Sequence, residues 1–294
     1  MKLFDFLERY NNSTTIVNVL QQDGLLRQRL LCHICGNDML YQKSDKRDGV
    51  RFECNRRSCR LKKSIRFGSF FEHVRMSLCD SMLLLHLWSK GCSEKYICDD
   101  YSFSEQTVVD WFRFGRDLCV FHFENNTDMI GGPNTIVEVD ETHVVKRKNN
   151  VGRVLESGWL VGGIERRTDG QFRAFFRLVY NRAGPHLKYI IQQHVLPGTH
   201  IITDGWPGYI GLNDLGYQWS VVIHEDNFVS PSNNTVHTQR IEATWSSLKR
   251  FIRAHGTNKG DYLAEYICEY IFRRMFNDVF EALLEVIRRK YTFS

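Results

Sequence analysis

Thr135-Ile136-Val137-Glu138-Val139-Asp140 and Thr199-His200-Ile201-Ile202-Thr203-Asp204 are two short β-branched runs, each ending on an aspartate. Runs of this composition predict buried strands. The Gly205-Trp206-Pro207-Gly208 turn follows the second at once. A third acid, Glu242, lies in Thr238-Gln239-Arg240-Ile241-Glu242-Ala243-Thr244-Trp245, which reads as the opening of a helix. An acid at a strand end often does no more than begin a turn. Two from strand ends and one from a helix are also the oxygen ligands that a pair of Mg²⁺ ions needs to clamp a phosphodiester.

Working outward, residues 136–139, 159–164, 172–179, 200–203 and 220–223 read as strands. Between the third and fourth, Leu187, Ile190, Ile191 and Val195 fall at helical spacing behind Pro185. Three strands, then helix, strand, helix, strand, helix is a mixed α/β order, that of the RNase H-like fold. The expected divisions are a helical segment 1–30, a cysteine-punctuated basic module 31–70, a helical segment 71–125, a turn-rich linker 126–134, an α/β domain 135–258 and C-terminal helices 259–294.

The 294 residues allow one sizeable core and one or two small modules. With 43% hydrophobic and 25% charged residues, composition is that of a soluble globular protein. No apolar run is long enough to cross a bilayer, and acids interrupt the N-terminal apolar stretch, a poor signal peptide. Nine cysteines without a secretory signal argue against a disulfide framework and for a reducing compartment. The net charge of +5 is unevenly spread. Lys43, Lys46, Arg47, Arg51, Arg56, Arg57, Arg60, Lys62, Lys63 and Arg66 form one basic cluster, and Lys146-Arg147-Lys148 with Arg153 a second. Such clusters are solvated faces or, beside phosphate chemistry, seats for a polyanion.

Cys32-His33-Ile34-Cys35 and Cys54-Asn55-Arg56-Arg57-Ser58-Cys59 make a CxxC and a CxxxxC. Four thiolates in two close pairs suit one structural, tetrahedral zinc, and the segment has too few apolar residues to fold without it. The alternative is four ordinary buried cysteines. Behind them, residues 81–88, 93–100 and 104–121 read as helices in a helix-turn-helix-like array, with Ser102 and Ser104 both plausible caps for the third. That helix would offer Gln106, Thr107, Asp110 and Arg113 to DNA bases. A plain helical bundle joining two domains is the competing reading.

Ile241, Trp245, Leu248 and Ile252 form a core-facing stripe, and Glu242, Ser246, Lys249 and Arg253 lie one residue later on its flank. That row would place one acid at the metals and two cations along a phosphate backbone; otherwise it is a surface row of mixed charge. Glu138 shares a strand face with Asp140 and reads as an exposed strand residue or a supporting acid, whereas Glu141 points to the opposite face. Glu165 is expected to pair with a nearby arginine, Asp226 is the acid most easily mistaken for a ligand, and His237 is either a loop residue or a contact to water or DNA.

Val139-Asp140-Glu141-Thr142, Gly162-Gly163-Ile164-Glu165-Arg166, Leu196-Pro197-Gly198-Thr199 running to Asp204-Gly205-Trp206, and His237-Thr238-Gln239-Arg240-Ile241-Glu242 with Trp245 and Leu248-Lys249-Arg250 together resemble a known family. They are similar to Merlin-type and bacterial insertion-sequence transposases with a DDE-type catalytic domain, the ISXO2-like group. Cys59-Arg60, Ser64-Ile65-Arg66 and Gly68-Ser69-Phe70-Phe71 resemble its zinc-binding lead-in, so the likeness spans roughly residues 30–275. Gln239 stands where relatives often carry Asn. The resemblance implies a cut-and-paste transposase with Asp140, Asp204 and Glu242 as the triad holding two Mg²⁺ (or Mn²⁺). It implies one Zn²⁺ on Cys32, Cys35, Cys54 and Cys59, and DNA contacts from Lys249, Arg253, Lys146, Arg147, Lys148, Gln106, Thr107 and Arg113. Double-stranded DNA (element ends and target) and further copies of the chain are the implied partners. The implied compartment is the nucleus by preference, or the bacterial nucleoid. A catalytically silent DNA-binding regulator and an RNase H-like nuclease without strand transfer are the competing functions.

Overall fold

The computed structural model describes residues 1–45, 47–126, 128–144, 158–222, 237–255 and 262–292. The chain divides into two compact units, Met1–His122 with Asp278–Ser294, and Phe123–Asn277. The expected C-terminal block 259–294 is therefore split between them. Asp278 accepts the N–H of Glu281 and starts a new helix there.

In the first unit, helices α1 (Leu3–Tyr10) and α2 (Ile16–Gln22) precede a three-stranded antiparallel sheet, β1 (Met39–Lys43), β2 (Val50–Cys54) and β3 (Lys62–Ser64). Three helices follow, α3 (Leu78–Ser89), α4 (Glu94–Asp100) and α5 (Glu105–Glu124). Serine side chains cap all three, Ser77, Ser93 and Ser104 accepting the N–H of Asp80, Tyr96 and Thr107. Ser104, not Ser102, is thus the cap of α5. Gly115 lets α5 close on α3, since a Cβ there would lie 2.6 Å from the Trp88 ring. The helix α9 (Val279–Lys290) completes this unit, with Phe280 edge-on to Phe6 of α1.

The second unit is a five-stranded mixed sheet between helices. Its strands are β5 (Ile136–His143), β6 (Trp159–Glu165), β7 (Ala174–Val179), β9 (His200–Asp204) and β10 (Gln218–Val222), in the order β10-β9-β5-β6-β7. β5, β6 and β7 run antiparallel as a meander, while β9 lies parallel to β5 and β10 parallel to β9. A second, two-stranded parallel pair joins β4 (Ile130–Gly131) to β8 (Val195–Leu196). Period-two alternation sends Val137, Val139, Val161, Phe175 and Ile201 to one face, where they pack with Leu187, Ile190 and Ile191 of α6 (Gly184–His194). Leu160, Ile164 and Phe176 go to the other face, against α7 (Gln239–Ala254) and α8 (Leu263–Met275). The apolar stripe of α7 is the expected one, with Ile241, Trp245 and Leu248 buried. Two-sided burial explains why the central strands read as nearly continuous apolar runs.

Candidate functional site

Register brings the first two acids together. Glu138 is paired with Ile202 in the parallel β5–β9 ladder, so two residues on, Asp140 and Asp204 stand at the same level of adjacent strands and on the same face. β9 ends at Asp204 while β5 continues to His143, which leaves the end of this ladder open. Asp204 is fixed by its own turn, its Oδ1 accepting the N–H of Trp206 at 3.0 Å. Asp140 Oδ2 accepts the indole N–H of Trp245, on α7, at 2.9 Å. That indole lies over Gly162, where a Cβ would come within 2.5 Å of it, so a glycine in a central strand makes room for the group that holds Asp140.

Asp140, Glu141 and Asp204 each offer a carboxylate oxygen within 4.8 Å of the other two. Alternation does turn Glu141 toward the α6 face and Tyr209, yet its carboxylate reaches the open ladder end. Burial, the larger influence, and the charge of Asp204 push the Asp140 carboxyl up to about 6 despite the Trp245 hydrogen bond. Burial likewise pushes Glu141 up to about 7, against a lowering contribution from Tyr209. Three carboxylates within 4.8 Å of one another, two of them held up mainly by burial, are an oxygen donor set that a hard cation would relieve, so the residues fit a divalent metal. Glu242 stands outside this cluster, and its Oε1 accepts the Thr238 hydroxyl at 2.7 Å.

Glu138 has the role that sequence reasoning missed. It is fully buried, not exposed. Its Oε2 accepts the N–H groups of Arg240 (2.9 Å) and Ile241 (3.1 Å), two free donors of the first turn of α7. Its Oε1 pairs with Arg166 at 2.7 Å, and Arg166 reaches on to the carbonyl of His237 at 2.6 Å. One buried carboxylate thus clips the helix that carries Glu242 to the strand that carries Asp140. His237 belongs to this clip, 3.6 Å from Glu138, and burial lowers its pKa. The sequence signal was an acid at an inward position of an otherwise apolar strand. Glu165 pairs with Arg167 at 2.8 Å, as expected of it.

On the outer flank of α7, Lys249 is half-buried and Arg253 exposed. Lys146, Arg147, Lys148 and Asp226 lie outside the described residues. On α5, Gln106 and Arg113 are exposed, Thr107 is half-buried, and Gln106 donates to Asp110 at 2.9 Å.

The four cysteines converge. Cys32 and Cys59 Sγ lie 3.5 Å apart, Cys35 and Cys54 3.4 Å, and all four fall in one cluster. Burial, the largest influence on the Cys32 thiol, raises it, but the N–H groups of Cys35 and Ile34 and the neighbouring thiols bring it down to about 6. Four soft ligands on two turns and the end of β2, in a short antiparallel sheet, are compatible with a zinc ribbon. His33 is exposed and no ligand. Within the surrounding basic cluster, Arg66 is buried in a two-pronged pair with Asp48 and in bonds to the Val74 and Met76 carbonyls, so it serves the fold. Arg56, Arg57, Arg60 and Lys62 remain on the surface.

Fold and site together define a mixed α/β protein with clustered carboxylates on adjoining central strands and a separate four-cysteine cluster. Residues 130–275 match the family of the ISXO2-like transposase domain, so this domain is that of an insertion-sequence DDE transposase family. The family's function is DNA transposition and recombination, which makes a DNA-cleaving enzyme the class of the chain. No curated protein matches the sequence. Among the described residues no helix is long and apolar enough to cross a membrane.

Proposed function

We propose that the chain is a cut-and-paste DNA transposase acting on terminal inverted repeats. The carrying observation is the pair Asp140 and Asp204 at one level of adjacent parallel strands, inside a transposase-family domain. The strand order, a three-stranded meander with two parallel strands added beside its first, supports an RNase H-like reading of the domain. Asp140, Asp204 and, from α7, Glu242 are the proposed acids. Two Mg²⁺ ions, with Mn²⁺ as a substitute, would there acidify a water and neutralise charge on the phosphodiester. The chain's own groups do the positioning. Trp245 orients Asp140, the Trp206 N–H orients Asp204, and the Glu138 clip sets the helix from which Glu242 projects. Lys249 and Arg253 on the same flank, and Lys146, Arg147 and Lys148, bind DNA phosphates. The same acids then serve attack by the freed 3′-OH on target DNA, which makes strand transfer a second use of one site.

Cys32, Cys35, Cys54 and Cys59 hold one structural Zn²⁺. The exposed arginines around it and Gln106, Thr107 and Arg113 of α5 read the element ends. Joining two ends requires more than one copy of the chain, working where DNA lies, in a nucleus or nucleoid. Labelled element ends incubated with Mg²⁺ and wild type, Asp204→Asn or Glu242→Gln test this. Cleavage by wild type and loss in both variants is expected; full activity of Glu242→Gln would remove it from the triad. Binding by wild type without cleavage under any divalent metal would overturn the enzyme reading.

A further inference from the structure

The three acids that lie together in the folded chain are not the three that the resemblance names. Glu141 takes the place beside Asp140 and Asp204, and Glu242 lies outside the cluster with Oε1 on the Thr238 hydroxyl, though near enough for its charge to act on Asp140. Glu141 is only 8% exposed, and no donor among the described residues meets its Oε1 with hydrogen-bond geometry; the buried Tyr209 hydroxyl beside it is the near donor, and it too is left without a well-formed bond. A buried carboxylate oxygen without a well-formed bond is costly, and it persists where a cation or another compensating group is to be received. The nearby guanidinium of Arg182 is stacked between the rings of Trp159 (4.0 Å) and Trp206 (4.1 Å). The geometry of the sheet explains how an acid from the α6 side arrives here. Glu138–Ile202 is the last pair of the β5–β9 ladder, and past it carboxylate oxygens of residues from opposite faces of β5 come within 4.8 Å of each other and of Asp204.

Resting on the metal-dependent reading above, we infer that Glu141 is a direct ligand of the divalent cation, with Asp140 and Asp204. The centre then has four acids, and three of them bind a cation before DNA is present. Glu242 adds its carboxylate from α7 when substrate is engaged. Mg²⁺ and Mn²⁺ take six oxygens, so a fourth carboxylate fits the coordination shell without crowding.

The test is Mn²⁺ binding to the full chain without DNA, followed by the loss of the free-ion electron paramagnetic resonance signal. Glu141→Gln should weaken binding by ~10-fold or more, as should Asp204→Asn, while Glu242→Gln changes it by less than about 3-fold. Wild-type affinity in Glu141→Gln, with binding lost in Asp204→Asn, overturns the role of Glu141 and leaves the metal centre standing. Unchanged affinity in both overturns the metal-centre reading and this inference with it. The metal-free melting temperature of Glu141→Gln should equal or exceed that of wild type, because a neutral amide replaces a buried charge. Should that variant not fold, Glu141→Asp keeps the charge and withdraws it by one methylene; it should fold and bind Mn²⁺ more weakly, and wild-type affinity in it overturns the inference.

Discussion

The two ligand clusters of this chain are built on opposite plans. The four cysteines sit on turns and at the end of β2 in a small sheet whose β1 is buried only at Met39 and whose β3 has no buried residue. The acids sit on central strands packed on both faces by apolar side chains. In the first case the ligand set holds the local structure together. In the second the local structure holds the ligand set together, against the repulsion of its own charges. A closed set of four thiolates has no position left for a substrate, whereas carboxylates at an open ladder end do.

The sharpest way to break the comparison is to remove the metals. Chelation, or Cys54→Ser, should unfold the segment around residues 31–70, since a structural zinc contributes about 10 kcal/mol or more. Limited proteolysis should cut there and spare the unit from Phe123 to Asn277; a protease-resistant, metal-free segment would contradict the plan. Next in size, Asp204→Asn should cost roughly 10³-fold or more in strand cleavage while melting no lower than wild type. A large loss of stability would mean that the acids, too, are structural.

Smaller is the effect of Glu138→Gln. It leaves Arg166 in a largely buried place without its charge partner and weakens the hold on α7, at a cost of about 3 kcal/mol. Denaturant unfolding measures this, and an unchanged midpoint would show that apolar packing alone seats α7. The smallest effect is a pH trend. Asp140 and Glu141, at about 6 and about 7, lie above their ordinary values, so the folded chain binds protons that the unfolded chain does not. Their contribution to metal-free stability is full below about pH 4 and is lost as pH rises to 7. The zinc module should move the other way, because its thiols must lose protons to bind. Parallel pH trends in the two units would erase the distinction.

Much of this was legible in the chain itself. β5 and β9 announce themselves as β-branched runs, and α7 by its apolar stripe, because these signals are local and burial reinforces them; β9 ends at Asp204 as expected, whereas β5 runs past Asp140 to His143 on its ladder with β6. β6 and α6 also fall where their patterns put them. What escaped notice depends on contacts across the fold. Nothing near Glu138 in the chain says that α7, a hundred residues on, begins against it. Glu141 was correctly sent to the other face, but alternation describes a strand inside its ladder, and Glu141 lies past the last β5–β9 pair. The β4–β8 pair has two residues in each strand, too few for any period to show. The tail reads as one helical run, and only the cap at Asp278 divides it.

The clip at Glu138 bears on how such a chain tolerates change. The place of Glu242 is set by a bond between β5 and the first turn of α7, not by the length of chain that connects Asp204 to it. Insertions and deletions in that connection can therefore accumulate without moving the third acid, provided that Glu138, Arg166 and the backbone donors of Arg240 and Ile241 stay. Counting residues between acids is a poor guide to kinship for a protein built this way; an inward-facing glutamate two positions before the first aspartate is a better one.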